Sequence, residues 1–136
     1  MQKPITVTDT DYRRIMTLPE LASLKAKMPE VTKQLMENLD AAKLLPQRRI
    51  KDNIITMNSR IQLESLKNGL EAEITITYPQ DADPRERLVS VFSEIGLALL
   101  GRKENDVVSW KIPNGIGVFK VKKVTYQPEA AGDYSL

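Results

Sequence analysis

The sequence predicts an α+β protein, because helix-forming and strand-forming segments occupy different parts of the chain. The early part is rich in Leu, Met, Lys and Glu and has no glycine before Gly69, whereas all six glycines lie in the later part. Most segments in which apolar residues alternate with polar ones also lie there. We predict a short N-terminal two-helix hairpin over residues 1–51, followed over residues 52–136 by a curved antiparallel β-sheet packed on one short helix.

The first helix of the predicted hairpin is short. Asp9 or Thr10 can cap its start, and Pro19 ends it after two or three turns. Residues 18–28 are expected to join it to the second helix. Neither helix sustains an apolar stripe over several heptads, so we expect a short arm and not a long coiled coil.

The second helix of the hairpin is expected to open at Pro29 and to end before Pro46. Proline suits the first turn of a helix, where its missing N–H is not needed, but it stops a helix interior. Apolar residues at helical spacing predict one buried stripe. They are Val31, Leu35, Leu39 and Ala42.

Two hairpins are predicted in the second part. Asn68-Gly69 is a strong signal for a two-residue turn, since both residue types tolerate positive φ. The return strand over 70–78 alternates apolar and polar residues, which predicts one buried and one solvated face. Pro113-Asn114-Gly115 separates the strands of the second hairpin, over 106–112 and 116–126.

A short strand and a short helix are predicted between the two hairpins. Leu88 to Phe92 is typical of a strand, and Ser93 can cap a helix over 94–100. Gly101 follows in the position that commonly closes a helix. Such a short apolar helix is stable only when it is packed on a sheet.

Composition restricts the available chemistry. Hydrophobic residues make up 41% of the 136 residues and charged residues 28%, which is typical of a globular chain with a core. The absence of Cys and His excludes thiolate and imidazole catalysis and the zinc sites built from them. We therefore expect a protein that is not an enzyme, with no catalytic residues, no metal and no cofactor. The acids Glu71, Glu73, Glu129 and Asp133 are expected to be solvated.

Charge and hydropathy indicate where the protein acts. The net charge is only +2, so no global field attracts nucleic acid or anionic lipid regardless of sequence. The N-terminus lacks the apolar run of a signal peptide, and no stretch approaches the about 18 apolar residues of a membrane span. We expect a cytoplasmic protein with no membrane contact and no small-molecule substrate.

The segment over residues 90–106, SVFSEIGLALLGRKEND, carries a family resemblance. Followed by a strand, Pro-Asn-Gly and another strand, it resembles the signature of the C-terminal domain of the GreA/GreB transcript-cleavage factors. Glu94 departs from the pattern, because those factors usually carry proline there. Residues 55–61 and 126–136 resemble a narrower, proteobacterial branch of the same superfamily, so the resemblance covers nearly the whole chain.

The resemblance implies a sheet of the FK506-binding-protein (FKBP) type, RNA polymerase as partner and a two-helix N-terminal extension. It also implies that polymerase docking uses the globular domain. The exposed members of the signature are then the candidate RNA polymerase-binding residues. They are Ser93, Glu94, Gly96 and Leu97.

The resemblance further implies that, in the cleavage factors, a long coiled coil enters the secondary channel of the polymerase. Two acids at its tip help to hold the catalytic magnesium there. In this chain the segment between the predicted helices offers only Glu20 and Glu30, with Lys25 and Lys27 between them. Ammonium groups repel the cation that such a tip must present. We expect a factor that modulates elongation or competes with secondary-channel factors, without transcript cleavage.

Five cations form a candidate electrostatic patch, although ordinary solvated charge is the simpler explanation for each one taken alone. A cluster of this size attracts acidic partners only at short range, because the Debye length is about 8 Å at cellular salt. Weak nucleic-acid contact within the transcription complex is a further expectation, without a recognised nucleic-acid-binding motif. The five are Arg13, Arg14, Arg48, Arg49 and Lys51.

A peptidyl-prolyl isomerase is the alternative, since it shares the inferred sheet-and-helix architecture. Architecture does not carry activity, however. An isomerase pocket needs an aromatic-lined cleft, and aromatic residues make up only 5% of this chain. These few rings are enough to fill a core with little left over.

Overall fold

Helices dominate the first part of the chain in the computed structural model, which describes residues 4–134. None of the helices in this described part has both the length and the apolar character that crossing a bilayer requires. The elements of the first part are β1 (Thr6–Thr8), α1 (Asp9–Met16), α2 (Glu20–Lys27), α3 (Pro29–Asp40) and β2 (Lys43–Leu45).

Strands dominate the second part, so the predicted α+β class is confirmed. One-turn 3-10 helices at Gln47–Arg49, Pro79–Asp81 and Pro84–Glu86 connect the longer elements. The remaining elements are β3 (Arg60–Ser65), β4 (Glu71–Thr77), β5 (Leu88–Ser90), α4 (Glu94–Leu99), β6 (Val107–Ile112) and β7 (Gly115–Tyr126).

The helical part differs from the predicted two-helix hairpin. Residues 18–28, expected to be a connection, contain α2, which packs on α3. Helix α2 has no fully buried residue, and Leu21 and Leu24, which pack half-buried against the core, are too few to mark it as a helix in the sequence. Helix α1 is capped by Thr8, one position before the expected Asp9, and the Thr8 hydroxyl accepts a hydrogen bond from Asp11 N at 3.0 Å.

Two short parallel strands close the helical part. Strand β1 pairs with β2, with Thr6 opposite Lys43 and Thr8 opposite Leu45. Each strand has only three residues, too few for an alternating pattern to be recognised. The pairing brings the start of α1 beside the end of the segment that follows α3. It thereby holds the three helices as one unit.

The main sheet has the strand order β5-β4-β3-β7-β6 and is antiparallel except for the β4–β5 pair. The pairing of β3 with β7 is interrupted by register shifts beside Ile61 and Leu63. Such bulges bend a strand and increase its twist, so the sheet is curved as predicted. The FKBP type of this sheet remains a prediction.

The first hairpin closes differently from the sequence prediction. Ser65 N donates to Leu70 O at 2.8 Å, so the loop contains four residues, Leu66–Gly69, and not two. Only Gly69 adopts a positive φ there, at +73°. The predicted buried face of β4 is also only partly right, because Ile76 is buried whereas Leu70 is 70% exposed. Burial in β4 therefore increases from its start at Glu71 toward its end at Thr77.

Both parts of the chain contribute to one hydrophobic core. Helices α1 and α3 supply Ile15 and Leu35, which lie in the same buried cluster as Ile61 and Val121 of the sheet. Helix α4 closes the core with Leu99 and is linked to the sheet by contacts with β5 and β6. The boundary between residues 51 and 52 remains a prediction, since the core runs across it.

We expect Ile15→Ala to lower the free energy of unfolding by about 3 kcal/mol, because the side chain is fully buried between the helices and the sheet. Met16→Ala is the matched control on the same helix, since Met16 is 37% exposed. Urea unfolding followed by circular dichroism measures both. Equal effects of the two substitutions would show that α1 is not part of the core.

Candidate docking surface

The loop before α4 is held by its own serine side chains. Ser90 Oγ accepts a hydrogen bond from Phe92 N at 3.0 Å, and the Ser93 hydroxyl donates to Ser90 O at 2.6 Å. Ser93 Oγ also accepts from Gly96 N at 3.0 Å, which caps α4 as the sequence predicted. The start of α4 therefore has a defined position on the edge of the sheet.

Gly96 lies where α4 approaches β5 most closely. A Cβ atom at this position would lie 2.8 Å from the Cα of Val91 and would also collide with Ser90 O. Gly96 is buried, so the expectation that it is exposed is wrong. Its observed role is to let α4 pack against the preceding strand. A direct contact of Gly96 with a partner remains a prediction.

Glu94 and Leu97 lie on the outer side of α4 and line a groove of about 680 Å³. Glu94 is exposed and Leu97 is half-buried. Helix α3 forms the opposite wall of this groove, and β6 contributes Trp110. The structure therefore brings two of the four candidate polymerase-binding residues to one concave surface. Ser93 and Gly96 do not line the groove; their contacts hold α4 in position.

Trp110, the single tryptophan of the chain, is stacked on another aromatic ring. Its ring stacks on the ring of Phe119, with 4.2 Å between centroids and 5° between planes. Gly117, opposite Trp110 in the β6–β7 pair, leaves space for this arrangement, since a Cβ there would lie 2.5 Å from the Phe119 ring. The stack holds Trp110 in place beside the groove.

The residues of the candidate electrostatic patch lie in two segments. Arg13 is exposed on α1, and Arg48, Arg49 and Lys51 are exposed in and just after the first 3-10 helix. Arg14 is half-buried and interacts electrostatically with Asp11 and Tyr78. Binding of an acidic partner by these residues remains a prediction, and Arg14 also belongs to a buried polar cluster.

That polar cluster joins α1 to the second part of the chain. Asp11 Oδ2 accepts a hydrogen bond from Met57 N at 3.1 Å, and Asp11 is only 2% exposed. Glu129 is 8% exposed and its Oε1 accepts from the Thr56 hydroxyl at 2.7 Å. The expectation that Glu129 is solvated is therefore wrong. Two carboxyl groups from distant segments meet at residues 56 and 57.

The C-terminal segment is anchored by side chains that the sequence did not mark. Gln127 Nε2 donates to the carbonyl oxygens of Lys51 and Ile54, both at 2.7 Å. Tyr134, near the end of the described residues, is 42% exposed and therefore contributes little to this anchoring. Burial of Gln127 and Glu129 depends on contacts with residues more than 70 positions away, which no local pattern predicts.

The pKa of Asp11 is raised to about 6, chiefly by burial and also by the nearby Glu129 carboxylate, while the Met57 N–H and Arg14 act in the opposite direction. Burial, assisted by Asp11, also raises the pKa of Tyr78 above its usual range. These groups do not line the groove beside α4. Their observed contacts join two parts of the fold.

Comparison with known proteins identifies the class. The family described as "Transcription elongation factor, GreA/GreB, C-term" matches residues 50–126, which include the whole main sheet and α4. The chain belongs to the GreA/GreB transcription elongation factor family. The resemblance drawn from residues 90–106 is thereby confirmed.

A full-length relative gives a more specific placement. The chain is 34% identical over 138 residues to the regulator of nucleoside diphosphate kinase of Escherichia coli K12, and the match covers 100% of both chains. This confirms the narrower, proteobacterial resemblance. The GreA elongation factor of Alkaliphilus oremlandii is 31% identical over 106 residues, covering 78% of this chain and 67% of GreA.

A solved structure supports the same placement. The structure described as the prokaryotic transcription elongation factor GreA/GreB from Nitrosomonas europaea aligns with a TM-score of 0.75 and 25% sequence identity. The alignment covers 92% of this chain and 100% of that protein. The helical part is therefore included in the structural likeness.

We expect the free energy of unfolding of the wild-type protein to rise as the pH is lowered, relative to that of the Asp11→Asn variant. The folded-state pKa of Asp11 lies above its ordinary value of 3.8, so ionised Asp11 destabilises the fold, and this cost is relieved as pH falls through about 6. Between pH 8 and pH 5 the wild type should gain about 1 kcal/mol that the Asn variant does not. Urea unfolding at both pH values measures the difference. Parallel pH dependence in the two proteins would contradict it.

Proposed function

We propose that this protein is an RNA polymerase-binding transcription accessory factor that modulates elongation or competes with other secondary-channel factors. The observation that carries the proposal is the GreA/GreB C-terminal match over residues 50–126. A cytoplasmic location, the compartment of bacterial transcription, is part of the proposal. No catalytic residue, metal or cofactor enters it.

The docking surface in this proposal is the outer side of α4. Glu94 and Leu97 lie on one concave surface, and the serine hydrogen bonds before α4 hold its start in place. A surface fixed before binding loses little conformational entropy when a partner docks. Ser93 and Gly96 contribute by shaping this surface.

The helical arm supports a role without transcript cleavage. Helices α2 and α3 contain eight and twelve residues, so they extend only about 12 and 18 Å at the usual rise of 1.5 Å per residue. Glu30 lies beside the turn between them, and Lys27 ends α2. Within residues 4–134 no group of three or more acidic side chains is placed to hold a metal ion. An arm of this kind suits occupation of a surface more than magnesium delivery.

The name of the full-length relative refers to nucleoside diphosphate kinase. In our proposal any effect on that enzyme is indirect and operates through transcription, because the sequence has no Gly-rich phosphate-binding loop of the common types. Direct binding of purified kinase to this protein would contradict an indirect effect. The peptidyl-prolyl isomerase alternative has no observation in its favour, because Trp110 is the single aromatic residue among the described residues that line the groove.

We expect the purified protein to be retained by core RNA polymerase and to be displaced by a GreA-type cleavage factor. Leu97→Ala should weaken retention about tenfold, because it removes the apolar part of the α4 surface. Leu70→Ala is the matched control, since Leu70 is exposed on the distal hairpin. Absence of binding by the wild type would refute the proposed function.

We expect no stimulation of transcript cleavage in stalled, backtracked elongation complexes supplied with Mg²⁺. The physical reason is the short arm without clustered acids at its turn. A GreA protein serves as the positive control. Magnesium-dependent shortening of the transcript by this protein would show that its arm does reach the polymerase centre.

A further inference from the structure

We propose that the groove between α3, α4 and β6 binds a basic segment of the protein partner, with a Lys or Arg side chain placed over Trp110 and apolar residues beside it. This inference rests on the proposed function, because it specifies the chemistry of the polymerase segment that docks on α4. It also assigns part of the docking surface to the helical arm, which lies outside the matched residues 50–126.

Three carboxylates line the groove. Glu30 and Glu37 are seven positions apart on α3, a separation of two helical turns that places them on one face, and Glu94 lies opposite at the start of α4. All three are exposed. Among residues 4–134 the salt bridges join Arg60 to Glu73 and Lys122 to Glu71, so none of the three has a cation within 4.0 Å.

Two cations also line the groove, but they do not offset this charge. Arg102 has a pKa lowered by burial, and the Asp106 carboxylate acts in the opposite direction, so Arg102 already has an acidic neighbour. Lys111 is exposed on β6. The groove therefore offers more negative than positive charge to a partner, which favours a basic segment over an acidic one.

Trp110 provides the second part of the recognition. One face of its ring is covered by Phe119, and Trp110 is one of the residues that line the groove. Cations bind favourably over the face of an indole ring, and Arg does so most often. Val31 and Leu97 line the groove beside the carboxylates. A segment that alternates basic and apolar residues matches this mixed lining.

Two probes test the proposal. The first is core RNA polymerase, whose affinity is measured for the wild type and for a triple variant, Glu30→Gln, Glu37→Gln and Glu94→Gln. The matched control removes three exposed acids outside the groove, with Asp52→Asn, Asp81→Asn and Glu86→Gln, so both variants have the same net charge. Circular dichroism confirms that each variant is folded.

The second probe is a tryptophan-free helical peptide with Leu on one face and Arg on the other, compared with a peptide in which Glu replaces every Arg. Because Trp110 is the only tryptophan of the chain, its fluorescence reports binding at the groove directly. We expect saturable binding of the Arg peptide that weakens with salt, and none of the Glu peptide.

The expected result is a loss of about tenfold in affinity for both probes in the groove variant, with the control variant close to the wild type. Equal affinities of the two variants for both probes would overturn the proposal. If the wild type does not bind polymerase at all, the proposed function fails. The peptide titration then decides separately whether the groove selects basic segments.

Discussion

The buried hydrogen bond from Met57 N to Asp11 ties the two parts of the chain together. It joins the first helix to the segment that leads into the sheet, and the Thr56 hydroxyl beside it binds Glu129 of the C-terminal segment. A backbone N–H buried at such a junction must have a partner, since an unsatisfied one costs about 1–3 kcal/mol. Here a carboxyl group supplies that partner.

The junction determines where the helical arm lies and therefore what the groove contains. Helix α1 is bonded to the backbone at Met57, and the pairing of β1 with β2 links the start of α1 to the segment that follows α3. Residues of α3, α4 and β6 then line the same groove, among them Glu30, Glu37 and Trp110. The groove is thus lined jointly by the globular domain and the helical arm.

Elements defined by local signals could be predicted from the sequence. Ser93 and Gly101 mark the two ends of α4, and the prolines and glycines mark the second hairpin, because caps and turns depend on neighbouring residues. Helix α2 could not be predicted, since it has no fully buried side chain, and neither could the three-residue pairing of β1 with β2. Local sequence patterns thus predict the elements with caps and turns, whereas elements that form only through tertiary contacts leave no such pattern.

The same distinction applies to the site. Glu94 and Leu97 were identified through a sequence motif, and the structure places both on one groove. The contribution of Glu30, Glu37 and Trp110 to that groove arises from the packing of α3 and β6, which are distant from α4 in sequence. The burial of Glu129 escapes sequence prediction for the same reason, because Glu129 contacts Thr56, which is distant in sequence.

Gly96 helps to set the position of α4 independently of the side chains that α4 presents on its outer side. The backbone contact with Ser90 and Val91 and the serine hydrogen bonds set the path of the chain without help from Glu94 or Leu97. Side chains at those two positions are therefore free to vary while the underlying frame stays constant. A substitution at either position would in this way change the outer surface of α4 while leaving the position of the helix on the sheet intact.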